Sequence, residues 1–392
     1  MGSPRWGRCA VTSQVVITGV GTSNFGRAPD ARIESLAHAA IVEALNDAEV
    51  HPSEIDAVWL GTVFGPAGVA NRVLAASGLA GIPVYSIEAA CASGTVALHE
   101  AYAAVGTGRH RRVLAVGVEQ LSTVFNGPIT PEATDPEGAT GLALPALYAL
   151  SANRYLHDHG LDPGVLGHIA VKNKYAGSLN PRAHLGGSPP DLDQVLASRP
   201  IAGPLTLLQC CPMSDGAAAA VVETVDTARV DDAVAMLSCA FVSGTWWNSD
   251  TALPWSVDTV TAAAQQAFDA AGLTPGDVDV AELHDAFTIG EVLTTEALGL
   301  CAPGTAAQRA AEGVSALGGA QPINPSGGLL SRGHPLGATG LAQTAEIVWQ
   351  LRGTAGDRQV PGAQIGLVET MGGGAAGVDG NACVVALLGG PS

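Results

Sequence analysis

Three side chains in this sequence have the type and setting for covalent catalysis. Cys91 follows a β-rich run, Val84–Glu88, and opens a helical stretch, Ala92–Val105. Free amide N–H groups and the helix dipole favour a thiolate at such a position. Ala92, Ser93 and Gly94 are small enough for a substrate to come close. Val96, Ala97, Leu98 and Ala101 make the helix apolar and therefore buried. A strand, a cysteine and a helix in that order suit a nucleophile better than a packing thiol. Cys9, Cys210, Cys211, Cys239, Cys301 and Cys383 lack this setting and read as structural.

His334 lies in SGGLLSRGHPLGATG (Ser326–Gly340), with glycines on both sides and Pro335 stiffening the turn. So many glycines point to a close backbone approach, and an imidazole there can take a proton from a thiol. Ser326 and Gly327 open the segment and are expected to contact substrate. His284, in AELHDAF, stands at a strand end, where sites gather in α/β sheets; its imidazole can donate to a developing oxyanion. The adjacent Glu282 and Asp285 read as solvated or helix-capping carboxylates. In ETMGGGAAG (Glu369–Gly377) the glycine run 372–374 exposes backbone N–H groups that can hold an oxyanion. Gly372 and Gly373 are therefore candidate donors. The remaining histidines read as surface or packed residues, and Trp246–Trp247 as packing.

The elements that must position these groups recur twice. β-rich runs are expected near Val15–Val20, Ala57–Leu60, Val84–Glu88, Arg112–Val116 and Ala217–Glu223. A second set follows near Val234–Val242, Val278–Leu283, Pro322–Asn324, Gln364–Val368 and Ala382–Leu388. Helical stretches alternate with them, which predicts an α/β fold with covered sheets. Strand three of each half runs into a candidate motif, so an internal duplication is expected. The halves are 14–228 and 229–392, after a flexible leader, 1–13. Residues 123–208 break the symmetry as a lid-like insertion. Within it Leu142–His157 reads as a helix with Leu144, Leu147, Tyr148, Leu150 and Tyr155 on its apolar face.

Composition narrows the class. In 392 residues, 47% are hydrophobic and 14% charged, which suits a large core. The formal charge of −18 argues against nucleic acid as a partner. The one basic run, Arg109–Arg112, reads as a solvated turn, with docking of phosphates as the sharper alternative. Seven cysteines with no C-x-x-C pair disfavour a disulfide framework and a zinc site. A reducing cytoplasm fits best, and no run is long and apolar enough to span a bilayer.

Taken together, VVITGVGTSNFGR, EAACASG, CPMSDGAAAAVVE, AGLTPGDVDVAELHDAF, GGLLSRGHPLGATG and MGGGAAG resemble the thiolase superfamily, and within it the sterol-carrier-protein-like thiolases. The resemblance runs from about Val15 to Leu388. It implies a five-layered αβαβα fold of two pseudo-duplicated βαβαβαββ halves, acyl-thioester substrates usually carried on coenzyme A, no tightly bound cofactor and frequent homodimers. It gives Cys91 the place of the acylated nucleophile, His334 that of its activating base and His284 that of an oxyanion-hole residue. Gly372 takes the place of a backbone donor in the family's C-x-G motif. Here that motif reads Thr370-Met371-Gly372, so the family's second catalytic cysteine is missing. An alcohol is far too weak an acid to rest as a base near neutral pH. Ordinary thiolysis is therefore disfavoured; Thr370 is left to hold a water or bond the substrate. Acyl transfer to a carbon nucleophile survives the loss, the carbanion coming from decarboxylation or from an electron-rich carbon. The alternatives are a retro-aldolase acting with a small partner subunit and a catalytically silent acyl-CoA-binding protein.

Overall fold

The computed structural model describes residues 14–129, 138–244, 257–373 and 382–391. The leader, Trp246–Trp247, Cys9 and the end of the glycine run (374–377) lie outside these.

Half one runs β1 (Val15–Thr22), α1 (Ile33–Asp47), β2 (Ala57–Gly61), α2 (Val69–Ala76), β3 (Val84–Ile87), α3 (Ser93–Gly106) and β4 (Arg112–Gln120). The insertion follows, with α4 (Leu144–His159), α5 (Gly167–Ser178), α6 (Leu192–Leu196) and the short pair β5 (Pro200–Ala202) and β6 (Leu205–Thr206). β7 (Asp215–Thr224) closes the half. Half two runs β8 (Val234–Val242), α7 (Val257–Ala271), β9 (Val280–Glu282), α8 (Thr288–Ala297), α9 (Ala306–Ala311), α10 (Gly328–Ser331), α11 (Thr339–Arg352), β10 (Ile365–Gly372) and β11 (Ala382–Gly389).

The strands join in the order β3-β2-β4-β7-β1-β8-β11-β10-β9. Read outward from the β1–β8 junction, both halves repeat one pattern. Three antiparallel neighbours come first (β1, β7, β4 and β8, β11, β10), then a parallel one, β2 on β4 and β9 on β10. Half one adds β3 in parallel. Its expected counterpart, Pro322–Asn324, forms only a single bridge between Ile323 and Ala281. Three residues bounded by Pro322 and a left-handed Asn324 (φ +59°) cannot extend a ladder.

The layers follow from what each strand face needs to bury. α3 and α11 pack against strands of both halves and form the central layer; α1 and α2 cover half one, and α7 and α8 cover half two. β7 carries DGAAAAVVET, a helix-favouring alanine run held as a strand because both its faces are covered and wholly buried. α1 sits close on β1 because Gly19 leaves room: a Cβ there would stand 2.1 Å from the Ala44 carbonyl oxygen.

The insertion docks on half two. Ala149, Ala152, Tyr155 and Leu156 of α4 are buried with Ile289, Val292, Ala306 and Ala310. The inward face of α4 is therefore rotated from the expected one. Tyr148 and Tyr155 lie on it, but Leu150 is 56% exposed and Leu147 half-buried. Small alanines let α4 come close to its neighbours, which longer leucines would prevent. No helix among the described residues is long and apolar enough to cross a membrane.

Candidate active site

Four loops converge at the C-terminal ends of β3 and β9 and on the β10–β11 edge. The first is the turn before α3. Ala90 adopts a left-handed conformation (φ +48°), which a residue with a Cβ holds only when its surroundings fix it. They do. Ser93 Oγ accepts from Ala89 N (2.9 Å) and donates to Ala90 O (2.6 Å), and Glu88 accepts from Ala90 N (2.8 Å). Cys91 is half-buried and stands two residues before the helix, not in its first turn.

The second loop follows β9 and carries His284. Its backbone N–H donates to Glu369 Oε2 at 3.0 Å, and its Nδ1 accepts from Met371 N at 3.3 Å. The third carries His334. Gly333 (φ +114°) presses on Ser214, whose hydroxyl accepts from His334 N at 3.2 Å. A Cβ on Gly337 would lie 2.7 Å from the Thr62 Cα of half one, so the glycine-rich turn is wedged between the halves. Glu119, wholly buried at the end of β4, clamps it there. Its carboxylate accepts from Gly337 N (3.1 Å) and from Val63 N and Phe64 N (2.9 Å each). The fourth loop leaves β10, and its Gly373 backbone N–H lies near enough to the Cys91 sulfur to favour the ionised thiol. Gly372 supplies room: a Cβ there would stand 2.4 Å from the Ala89 carbonyl oxygen.

These loops bring Cys91 Sγ and one ring nitrogen each of His284 and His334 within 4.8 Å of one another. The two rings meet edge to face, centroids 5.0 Å apart. Both Nδ1 atoms are engaged outward, His334's with Thr339 Oγ1 at 2.8 Å, so the Nε2 atoms are the ones gathered at the sulfur. Burial sets the charge states. It pushes the Cys91 thiol up to about 12, against the Gly373 N–H that lowers it. Burial, with the nearby Arg332 guanidinium, pushes His284 down to about 3. Burial, His284 and Arg332 push His334 well below the usual imidazole value. These shifts favour the uncharged forms of the thiol and of both imidazoles, so desolvation opposes the thiolate that the helix start favours.

The same three atoms have the element types of a metal site. His284 does not fit one: Met371 N–H already points at Nδ1, so the proton of the neutral ring sits on Nε2, the inward nitrogen. Ligation would drive that proton onto Nδ1, against the amide.

Other expected residues fall elsewhere. Ser326 is fully buried; its hydroxyl donates to Glu282 (2.8 Å) and its N–H donates to the same carboxylate (2.9 Å). Gly327 (φ +98°) packs against Gly177 of α5. Neither is free to contact substrate; they shape the loop beneath His334. Thr370 donates to Gln343 Oε1 of α11 at 2.6 Å and is buried, so its hydroxyl is already engaged by the protein. Glu282 pairs with Arg332 (3.2 Å), and Asp285 accepts from Leu329 N (2.6 Å) at the start of α10. Both carboxylates build the loop, and Asp285 caps it as expected. Arg109 bonds the Tyr85 hydroxyl, Arg111 pairs with Asp226 and Arg112 with Glu223. This basic run stands at the far end of α3, about 20 Å from Cys91. Arg332, Glu119, Thr339 and the Met371 amide were missed. Arg332 and Thr339 sit inside the glycine-rich motif, but Arg332 pairs with the distant Glu282, and Thr339 meets the His334 ring only once the turn is folded.

Comparison with known proteins places the chain. The family model described as Thiolase, N-terminal domain matches residues 14–184, and Thiolase C-terminal domain-like matches 246–378. The acetyl-CoA acetyltransferase of Methanothermobacter thermautotrophicus is 39% identical over 92% of this chain and 96% of its own length. The benzoylsuccinyl-CoA thiolase subunit BbsB of Thauera aromatica is 34% identical over 92% of this chain and 95% of its own. Among solved structures the Ltp2-ChsH2(DUF35) aldolase superposes with a TM-score of 0.83 at 26% identity, covering 97% of this chain and 99% of that one.

Proposed function

The chain belongs to the thiolase superfamily, and from that membership we propose that it is an acyltransferase passing an acyl group from a thioester, through Cys91, to a carbon nucleophile. One observation carries the reading: a thiol and two inward imidazole nitrogens within 4.8 Å, reached from both halves.

In the first half-reaction the Cys91 S–H proton moves to His334 Nε2, and the sulfur electron pair forms the bond to the acyl carbon. Backbone N–H groups near Gly373 hold the oxyanion. The thioester C–S bond then breaks, and the leaving thiolate takes the proton back from His334, departing as a thiol. In the second half-reaction a carbanion attacks acyl-Cys91, the C–S bond breaks, and the sulfur leaves as a thiolate that regains its proton from water. His284, held as a neutral Nε2–H donor, polarises a carbonyl oxygen. Among the four site loops no thiol stands in the place of the missing second cysteine, which favours a carbanion made by decarboxylation or an already electron-rich carbon. Coenzyme A is the favoured carrier, as in the name of the acetyltransferase relative.

A homodimer belongs to the same proposal. β3 is an edge strand with half-buried Val84, Tyr85 and Ile87 beside the Cys91 turn, and an unpaired edge of this kind can pair with its copy. A reducing cytoplasm remains part of it too. A second reading, retro-aldol cleavage with a small partner subunit, is favoured by the likeness to the aldolase complex.

The test is mass spectrometry of the intact chain after incubation with a panel of acyl-CoA thioesters. An acyl adduct on Cys91, absent in Cys91→Ser, is expected. No adduct from any thioester sinks the reading.

A further inference from the structure

The two histidines do opposite work with one kind of side chain, so something must fix where each carries its proton. A neutral imidazole donates from one nitrogen and accepts at the other. For His284 the Met371 amide decides, as described above. For His334 the decision falls to the first residue of α11. Thr339 Oγ1 lies 2.8 Å from His334 Nδ1 and 3.1 Å from the Pro335 carbonyl oxygen, and all three groups are buried.

A hydroxyl has a single proton. If Thr339 gave it to Nδ1, two oxygens would face each other at 3.1 Å with no proton between them. If Thr339 gives it to Pro335 O, both contacts become hydrogen bonds, and Nδ1–H is the donor to Oγ1. The surroundings of the sulfur point the same way. The His284 Nε2–H, the Gly373 N–H and the thiol proton are all donors. A bare His334 Nε2 supplies the nitrogen lone pair that can take the thiol proton.

We infer that Thr339 is a positioning residue that selects the Nε2-bare tautomer of His334, opposite to the tautomer the Met371 amide selects for His284, and so separates base from oxyanion donor. The inference deepens the proposed acyl transfer and rests on it for its meaning, but the tautomers themselves are observable without turnover.

The experiment uses the full chain with 15N-labelled histidine. Two-bond proton–nitrogen correlation spectra are assigned with His284→Gln. The expected result is that His334 carries its proton on Nδ1 and His284 on Nε2. Both protons on the same type of nitrogen would overturn the inference. Thr339→Val is expected to lower the acylation rate of Cys91 about a hundredfold or more with little change in KM, as loss of an orienting partner does elsewhere. It should also mix the His334 signals. Thr339→Ser, which keeps the hydroxyl, should recover most of the rate and the single tautomer. A Val variant with an unmixed His334 spectrum and an unchanged rate would overturn the role. Opposite tautomers in a chain that forms no Cys91 adduct would leave this inference standing and remove the acyl-transfer reading instead.

Discussion

At residue 370 the hydroxyl is already taken up by the fold. Thr370 gives its hydroxyl to Gln343, and Gln343 Nε2 in turn donates to the Glu369 carbonyl at 3.0 Å. Thr370→Cys is expected to leave thiolysis of a 3-ketoacyl-CoA at its starting level, because a side chain here is held by Gln343 of α11. A tenfold rise in a coupled thiolysis assay would show that the position does reach the substrate. The three residues that the fold brings together were legible because each sits in a telling local context: a cysteine between strand and helix, a histidine at a strand end, a histidine between glycines. Ser326 and Gly327 were misread because glycine-rich sequence signals a close approach without saying what approaches. Here it is Gly177 and the Glu282 carboxylate, not a substrate. Flanking residues reveal the helix start that favours a Cys91 thiolate but not the desolvation by three other loops that opposes it.

Elements act here by closing on one another. The end of β4 offers Glu119, which draws the loop after β2 and the glycine-rich turn before α11 onto one carboxylate. Glu119→Ala leaves the buried Gly337 N–H and the part-buried Val63 and Phe64 N–H groups without acceptors, at about 1–3 kcal/mol for a buried group. The variant is expected to unfold at lower denaturant, by roughly 3 kcal/mol, and to acylate Cys91 more slowly because Gly337 loses its anchor. An unchanged urea midpoint would refute the clamp. Periodicity found most strands and α4, since alternation and helical spacing are local. It mistook the face of α4, because which stripe turns inward depends on the alanines of α4 meeting α8 and α9. It overstated the strand at 322–324, because a β-rich triplet says nothing of the turn that ends it.

For the whole molecule, burial of ionisable groups at the site makes stability depend on pH in two opposed ways. His284 ionises at the usual value when unfolded but only near about 3 when folded. Its share of stability is complete above the unfolded value and is lost as pH falls through it. Glu369 has the reverse sense. Burial raises its carboxyl to about 7, so the folded form holds a proton that the unfolded form releases, and stability is lost as pH rises from the ordinary carboxylate value through about 7. Melting each variant against the parent at about pH 7.5 and about pH 5.5 separates the two. Acidification should cost the parent about 1 kcal/mol relative to His284→Gln and gain it about 2 kcal/mol relative to Glu369→Gln. Shifts of the same sign would contradict the burial of one of them.

The division of the site between the halves also bears on how the protein comes into being. A ribosome completes Cys91 and its turn long before it reaches His284, His334 and Gly373. Until the last third of the message is read, the thiol has neither imidazole beside it. Under the proposed acyl transfer an interrupted translation product therefore carries an idle cysteine, and the trio comes together only once the segment through Gly373 has been made.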